Sequence, residues 1–173
     1  MKRILVTGSN GQLGQCINAL QSEATDAYSF IYLSSADLDI SNIDTVTECI
    51  VKYDPDYVIN CAAYTAVDRA EQEMERAYLV NDTGAENLAM VCRERDTVLI
   101  HISTDFVFGK VLPVPLTESM ETIPQGVYGK SKLAGEHKIQ DIGGKYFIFR
   151  TSWLYSEYQN NFAETMLRLG KER

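Results

Sequence analysis

The chain has 173 residues, 45% of them hydrophobic, and a formal net charge of −8, which suits one domain with a real hydrophobic core. The acidic balance leaves no basic stripe to neutralise phosphates and argues against a nucleic-acid or anionic-membrane partner. A nucleotide remains possible, because backbone amides at a helix N-terminus hold a phosphate without any lysine. No apolar run approaches a membrane span, and the start MKRILVTGSN lacks the apolar stretch of a signal peptide, so a cytoplasmic protein is expected. Cys16, Cys49, Cys61 and Cys92 form no CxxC, and the two histidines lie far apart, so core thiols and no metal centre are expected.

RILVTG (3–8) reads as a short buried strand, followed by a glycine turn and a helix over about 11–22. The turn, TGSNGQLG, spaces Gly8, Gly11 and Gly14 as GxxGxxG. Glycines there permit the tight turn, let a pyrophosphate approach the backbone and let the helix lie close to the strand. Glycine-rich turns are common, but one that follows a strand and opens a helix is the context for dinucleotide binding. SFIYLS (29–34) predicts a second strand. An acid at its tip would bind the adenosine ribose and repel a 2′-phosphate. YLSSADLDI has Ser34 and Ser35 instead, with no arginine nearby. Two hydroxyls can donate to a phosphate, which leans towards NADP; the alternative is that they are turn serines and Asp37 serves the ribose of NAD. Asp39 either accepts from an adenine amino group or is a surface loop acid.

NIDTVTECIVKY (42–53) places Ile43, Val46, Ile50 and Val51 at helical spacing, with Ser41 as the expected cap. DYVINCAA (56–63) predicts a third strand, ending in Ala62 and Ala63. These are small where a cofactor would cross the sheet edge, or simply where backbones pack. Residues 71–95 read as one long helical stretch, and TVLIHIST (97–104) as a fourth strand. Ser103 and Thr104 leave that strand where a hydroxyl either meets a carbonyl substrate or caps the strand; His101 reads as a packed strand residue. A loop (105–127), a helix (128–140), a strand (146–152) and an amphipathic helix (160–173) complete the chain. The last helix carries Phe162, Met166, Leu167 and Leu169, so it either packs on the sheet or belongs to something longer.

Repeated strand–helix alternation with continuously apolar strands predicts an α/β fold. The expected form is a Rossmann-like doubly wound parallel sheet in three αβα layers, with its ligand site at the C-terminal ends of the strands. In GVYGKSKLAGE (126–136), Tyr128 precedes Lys132 by four positions, which puts both on one helical face. A tyrosine with an ordinary pKa of about 10 is a poor acid–base near neutrality. An ammonium within a turn, together with a positive nicotinamide, is expected to favour tyrosinate and lower that value. Hydride addition to a carbonyl needs a proton for the alkoxide. Tyr128 as donor, Thr104 as second hydrogen-bond partner and Lys132 as electrostatic tuner meet that need.

Together, TGSNGQLG, NCAAYTAVDRAE, STDFVF, VYGKSKLAGE and FRTSWLYSEYQNNFAETMLRLGKER resemble the dTDP-4-dehydrorhamnose reductase family of the extended short-chain dehydrogenase/reductase superfamily. The resemblance runs in order along the chain. It implies reduction of the 4-keto group of dTDP-4-dehydro-L-rhamnose by NADPH or NADH, giving dTDP-L-rhamnose for cell-surface polysaccharide. It makes Thr104, Tyr128 and Lys132 the catalytic hydroxyl, acid and lysine, the last two also against the cofactor. Gly8, Gly11 and Gly14 become the pyrophosphate loop, with the backbone of Gln12 and Leu13 facing the cofactor. Asp39 and Ile40 would border the adenine, and Ala62, Ala63 and Thr65 would line the groove, with Asn81 supporting the site. Asp105, Trp153 and the Asn160–Asn161 turn would approach the dTDP-sugar. The resemblance departs at GKVLPVP (109–115), where the family has an aspartate–glycine pair. The family's chain also continues past the last helix, so residues 1–173 are expected to be its N-terminal, NAD(P)-binding portion. A homodimer is left open. Two competing readings are a regulatory relative similar to the methionine adenosyltransferase β subunit, which the intact Thr–Tyr–Lys set disfavours, and a nucleotide-sugar epimerase with tightly held NAD.

Overall fold

The computed structural model describes residues 1–23, 27–109, 114–159 and 161–172. Five strands, β1 (Lys2–Thr7), β2 (Tyr28–Leu33), β3 (Tyr57–Asn60), β4 (Val98–Thr104) and β5 (Tyr146–Thr151), form one parallel sheet in the order β2-β1-β3-β4-β5. The chain steps one way from β1 to β2 and the other way thereafter. Right-handed crossovers therefore place α1 (Gln12–Leu20) on one face and the later connections on the opposite face. This is the expected Rossmann-like architecture, and the strand order reverses between β1 and β3, where a crevice opens at the strands' C-terminal ends.

The core lies on the face covered by α2 (Ile43–Tyr53), α5 (Gly84–Glu94) and α6 (Val127–Ile142). Leu5, Leu33, Val58 and Leu99 from the sheet meet Val46, Ile50, Leu88 and Ile139 from the helices. Fully burying aliphatic side chains of this size contributes about 1.5–3 kcal/mol each. The opposite layer is thinner. In α7 (Phe162–Lys171) no residue is buried, and Phe162, Met166, Leu167 and Leu169 stay exposed. Of the two readings of this stripe, packing on the sheet is not seen among the described residues.

Three local expectations change. Asn42 caps α2, accepting from the Asp44 N–H at 2.9 Å, while Ser41 donates to Asp39 instead. β3 ends at Asn60 rather than running to 63, because the Ala62 N–H turns out of the ladder towards the side chains of Thr7 and Asn60. The stretch 71–95 is not one helix. It holds α4 (Met74–Tyr78), a wide π turn (Leu79–Thr83) and α5, preceded by the short α3 (Val67–Ala70). A π turn inserts a residue and re-aims side chains; here it directs Asn81 inward, where it is buried.

Candidate active site

The glycine turn forms one wall of the crevice. Gly8 has φ +63°, and a Cβ there would lie 2.7 Å from the Ala62 nitrogen at the end of β3. Only glycine accepts both the left-handed backbone and that approach. A Cβ on Gly14 would lie 2.6 Å from the Ser9 Cα, so α1 sits directly on the turn. Gly11 caps α1 without a side-chain hydrogen bond, leaving Gln12 and Leu13 to start a helix whose first N–H groups face outward as an anion site. The Gln12 amide nitrogen is buried without a partner. These residues fit a dinucleotide pyrophosphate, with Ala62 and Ala63 on the facing wall.

At the tip of β2 the geometry revises the sequence reading. The Ser34 hydroxyl donates to Asp37 Oδ2 at 2.6 Å and accepts from the Ala36 N–H, so it is committed to its own turn. The Asp37 carboxyl is held below its ordinary range first by the Ser34 hydroxyl and then by the Ser34 N–H. Ser35 is the exposed hydroxyl there. Asp39 is exposed, and Ile40 is 4% exposed, with its side chain against Gly84 and its carbonyl taken by Asn87.

Thr104, Tyr128 and Lys132 converge beside this crevice. Thr104 Oγ1 accepts from the Phe106 N–H at 3.2 Å and donates to Asp105 Oδ1 at 3.3 Å. The Tyr128 ring meets Phe106 edge-on, with centroids 5.5 Å apart. Lys132 is 2% exposed; its Nζ donates to the Ile102 carbonyl at 2.6 Å and lies 3.3 Å from His101 Nε2. Burial pushes its pKa down to about 8, against the upward pull of Glu136 and Cys61. Burial pushes the Tyr128 phenol up, the Thr104 hydroxyl lowers it and Asp105 raises it. Ser103 points away from the site and donates to Glu136, which also receives a fork from Arg150 (Nη2 at 2.7 Å).

Several supporting residues escaped the sequence reading. Glu71 Oε1 accepts from the Val127 N–H at 2.7 Å and so caps the helix that carries Tyr128. Asn81, anticipated as a supporting residue, accepts from the Tyr64 N–H and donates to the Tyr64 carbonyl and to Ser131 Oγ, at 2.9, 3.0 and 3.0 Å. Ser131 in turn donates to the Tyr128 carbonyl at 2.8 Å. This anchors the segment leading to Thr65, which is itself exposed. Thr7, Asn60 and His101 stand in register across three strands. The Thr7 hydroxyl donates to Asn60 Oδ1 at 2.6 Å, and Asn60 Nδ2 lies 3.0 Å from His101 Nδ1. The signal for this row was available: a polar residue inside a buried strand run must find a partner.

On the outer side, Asp105 accepts from the Ser152 hydroxyl at 2.8 Å, and a cleft of about 390 Å³ opens there between Phe108, Glu136 and Arg150. Trp153 is 71% exposed and edge-on to Phe162. Asn161 is occupied structurally: it caps α7 by accepting from the Glu164 N–H and donates to the Ser156 carbonyl. Asn160 lies outside the described residues. Gln159 reaches the glycine turn, donating to the Asn10 carbonyl at 2.9 Å.

The chain is similar to known proteins along its whole length. The family model described as the RmlD substrate binding domain matches residues 1–173. A dTDP-4-dehydrorhamnose reductase of Aggregatibacter actinomycetemcomitans is 42% identical over 173 residues, covering 100% of this chain and 58% of that protein. One from Salmonella typhimurium is 45% identical, covering 98% of this chain and 57% of that protein. The crystal structure of dTDP-4-dehydrorhamnose reductase from Bacillus anthracis in complex with NADP superposes with a TM-score of 0.93 at 44% identity, covering 100% of this chain and 61% of that one. The chain thus spans somewhat under two thirds of the length of these relatives. The family model matches the whole of residues 1–173, so the chain belongs to the RmlD substrate binding domain family.

Proposed function

We propose that this chain is the NAD(P)-binding portion of a dTDP-4-dehydrorhamnose reductase, which reduces the 4-keto group of dTDP-4-dehydro-L-rhamnose to give dTDP-L-rhamnose. The observation that carries this reading is the convergence of Thr104, Tyr128 and Lys132 beside a glycine turn shaped for a pyrophosphate. NADPH is the assigned cofactor, in keeping with the NADP bound by the Bacillus anthracis relative, and NADH is the alternative. When bound, it supplies the hydride. Gly8, Gly11 and Gly14, with the amides of Gln12 and Leu13, would hold its pyrophosphate; Ala62, Ala63 and Thr65 would line its groove, and Asp39 would lie near its adenine.

The protein's own residues handle the proton. Tyr128 is protonated in the resting site, since burial and the Asp105 carboxylate both hold its pKa up. It donates that proton to the oxygen on which charge develops, a contribution typically of 10²–10⁴-fold. Thr104 offers a second hydroxyl to the same oxygen, and the apolar ring of Phe106 packs edge-on against Tyr128. Asp105, Trp153, Asn160 and Asn161 are assigned to the dTDP-sugar. The same reading places the enzyme in the cytoplasm, and sedimentation would test it for a homodimer.

The test is calorimetric binding of NADPH and NADH to the chain, followed by cofactor oxidation with dTDP-4-dehydrorhamnose added, repeated on the longer protein. Binding with turnover that Tyr128→Phe abolishes is expected. Wild-type turnover in that variant would show that another group is the acid.

A further inference from the structure

The reaction leaves one buried carboxylate unused. Glu136 is fully buried on α6, two turns after Tyr128 and one after Lys132, so the three side chains share one helical face. Donors from two strands meet on it. Ser103, next to the end of β4, donates its hydroxyl to Oε1. Arg150, on β5, donates from Nε to both oxygens at 3.1 Å and from Nη2 to Oε2 at 2.7 Å. The guanidinium also lies over the Phe108 ring, 5.0 Å from its centroid, so a planar cation held by stacking fixes the carboxylate in turn. Ser103 is gripped a second time, its carbonyl accepting the Thr151 hydroxyl at 3.2 Å. Thr104 follows directly, and so leaves the sheet from a residue held at both its hydroxyl and its carbonyl.

The same carboxylate answers an electrostatic problem. Lys132 is buried, and its Nζ meets the Ile102 carbonyl at 2.6 Å and His101 Nε2 at 3.3 Å. Neither carries a negative charge, and burial keeps the His101 imidazole on β4 neutral. Burial also pushes the Cys61 thiol, just past β3, up to about 12, and holds the Tyr128 phenol protonated on the same helix. Among the described residues, Glu136 is therefore the anion that faces the lysine. Arg150, the competing cation, approaches from β5 with its side chain partly open to the outer cleft, where water screens it. We infer that Glu136 is a positioning residue for the Thr104–Tyr128–Lys132 centre: its carboxylate ties β4 and β5 to the helix that carries Tyr128, and it is the charge against which the buried Lys132 stays an ammonium. Burial drives the lysine pKa down and Glu136 pulls it back, to about 8, so the ammonium prevails at neutral pH. An ammonium one turn from Tyr128 is what tuning of the phenol requires; this consequence rests on the reductive reading above.

The experiment is nuclear magnetic resonance of the ligand-free chain labelled at the glutamate Cδ and the lysine Cε. In the wild type the Glu136 carboxyl signal should follow the Lys132 titration, both inflecting near 8. Glu136→Gln keeps the shape and removes the charge. It should lower the Lys132 midpoint by about one unit or more, a tenfold change, and Glu136→Asp, which keeps the charge, should restore most of it. A midpoint unmoved in Glu136→Gln, or a wild-type Glu136 signal blind to the lysine, would overturn the inference, and the second readout stands even if the variant fails to fold. Ser103→Ala keeps the ion pair and cuts the tie to β4. It should lower kcat for the keto-sugar by about tenfold at unchanged NADPH affinity, and a wild-type kcat would overturn that tie. Absence of turnover in the wild-type protein bears on the reductive reading alone, since the titrations need no substrate.

Discussion

A phenol that must give up a proton has to keep it until the substrate arrives, and Tyr128 does so because its surroundings disfavour the anion. Tyr128→Phe is therefore expected to lower the rate of keto-sugar reduction by about 10²–10⁴-fold while leaving NADPH affinity unchanged by calorimetry. A parallel loss of cofactor affinity would instead assign the ring to binding. At this scale the sequence was most legible where spacing alone decides the geometry. GxxGxxG and the Tyr128–Lys132 interval are short-range facts, and the turn and the helix realise them directly. It was least legible where a side chain chooses among partners. Ser34 turned to Asp37 within its own turn rather than outward, and Ile40 fell into the core where the loop after β2 meets α5. Lys132 belongs with these: helical spacing placed it one turn from Tyr128, but the long side chain followed the Ile102 carbonyl inward.

Among elements, α6 matters most, and two contacts set its position. Glu71 caps it from the segment after β3. Losing a side-chain cap typically costs about 1 kcal/mol. Glu71→Ala should therefore lower the unfolding free energy measured by urea denaturation by that amount, and a negligible change would mean that solvent replaces the cap. The second contact is tighter. A Cβ on Gly135 would lie 2.1 Å from the Asn81 carbonyl, so α6 crosses the π turn with no room for a methyl group. Overpacking of this kind costs about 1–3 kcal/mol. Gly135→Ala should destabilise the fold accordingly and also reduce turnover by displacing Asn81; equal activity with reduced stability would detach the π turn from the site. The π turn could not be read from the sequence, since over five residues (Leu79–Thr83) a single inserted residue leaves too short a stretch for its shift in period to show. The cap was equally hidden, because Glu71 and Val127 are distant in sequence and only the fold brings them together.

For the whole molecule, the buried ionisable groups give stability a pH dependence whose sign is fixed. At pH values below about 8 Lys132 is charged in both folded and unfolded chains, so the full cost of burying the ammonium opposes folding. Between that value and the unfolded lysine pKa, about 10.4, the folded chain releases the proton and the unfolded chain retains it. Stability relative to Lys132→Met should therefore rise across this window, by an amount on the order of 3 kcal/mol. Chemical denaturation of both proteins at its two ends measures this, and a flat difference would mean that the site is wetter than the geometry indicates. His101 acts in the same direction at lower pH. The unfolded chain takes a proton that the buried ring refuses, so stability falls as the pH drops through the ordinary imidazole range.

The strand order β2-β1-β3-β4-β5 also governs how the sheet can be built during synthesis. β1 emerges first, β2 joins one side of it and β3 the other, and every later strand adds to a free edge. No strand has to be threaded between two that are already paired. A ribosome releasing the chain from its N-terminus thus presents the strands in a sequence that never requires an earlier pairing to open. The glycine turn and its facing wall are complete once β3 has docked, well before Tyr128 is made. Pulse-labelled hydrogen exchange on nascent chains of increasing length should show β1–β3 amides protected before β4 and β5 are available, so the crevice for the cofactor would precede the residues that act on it.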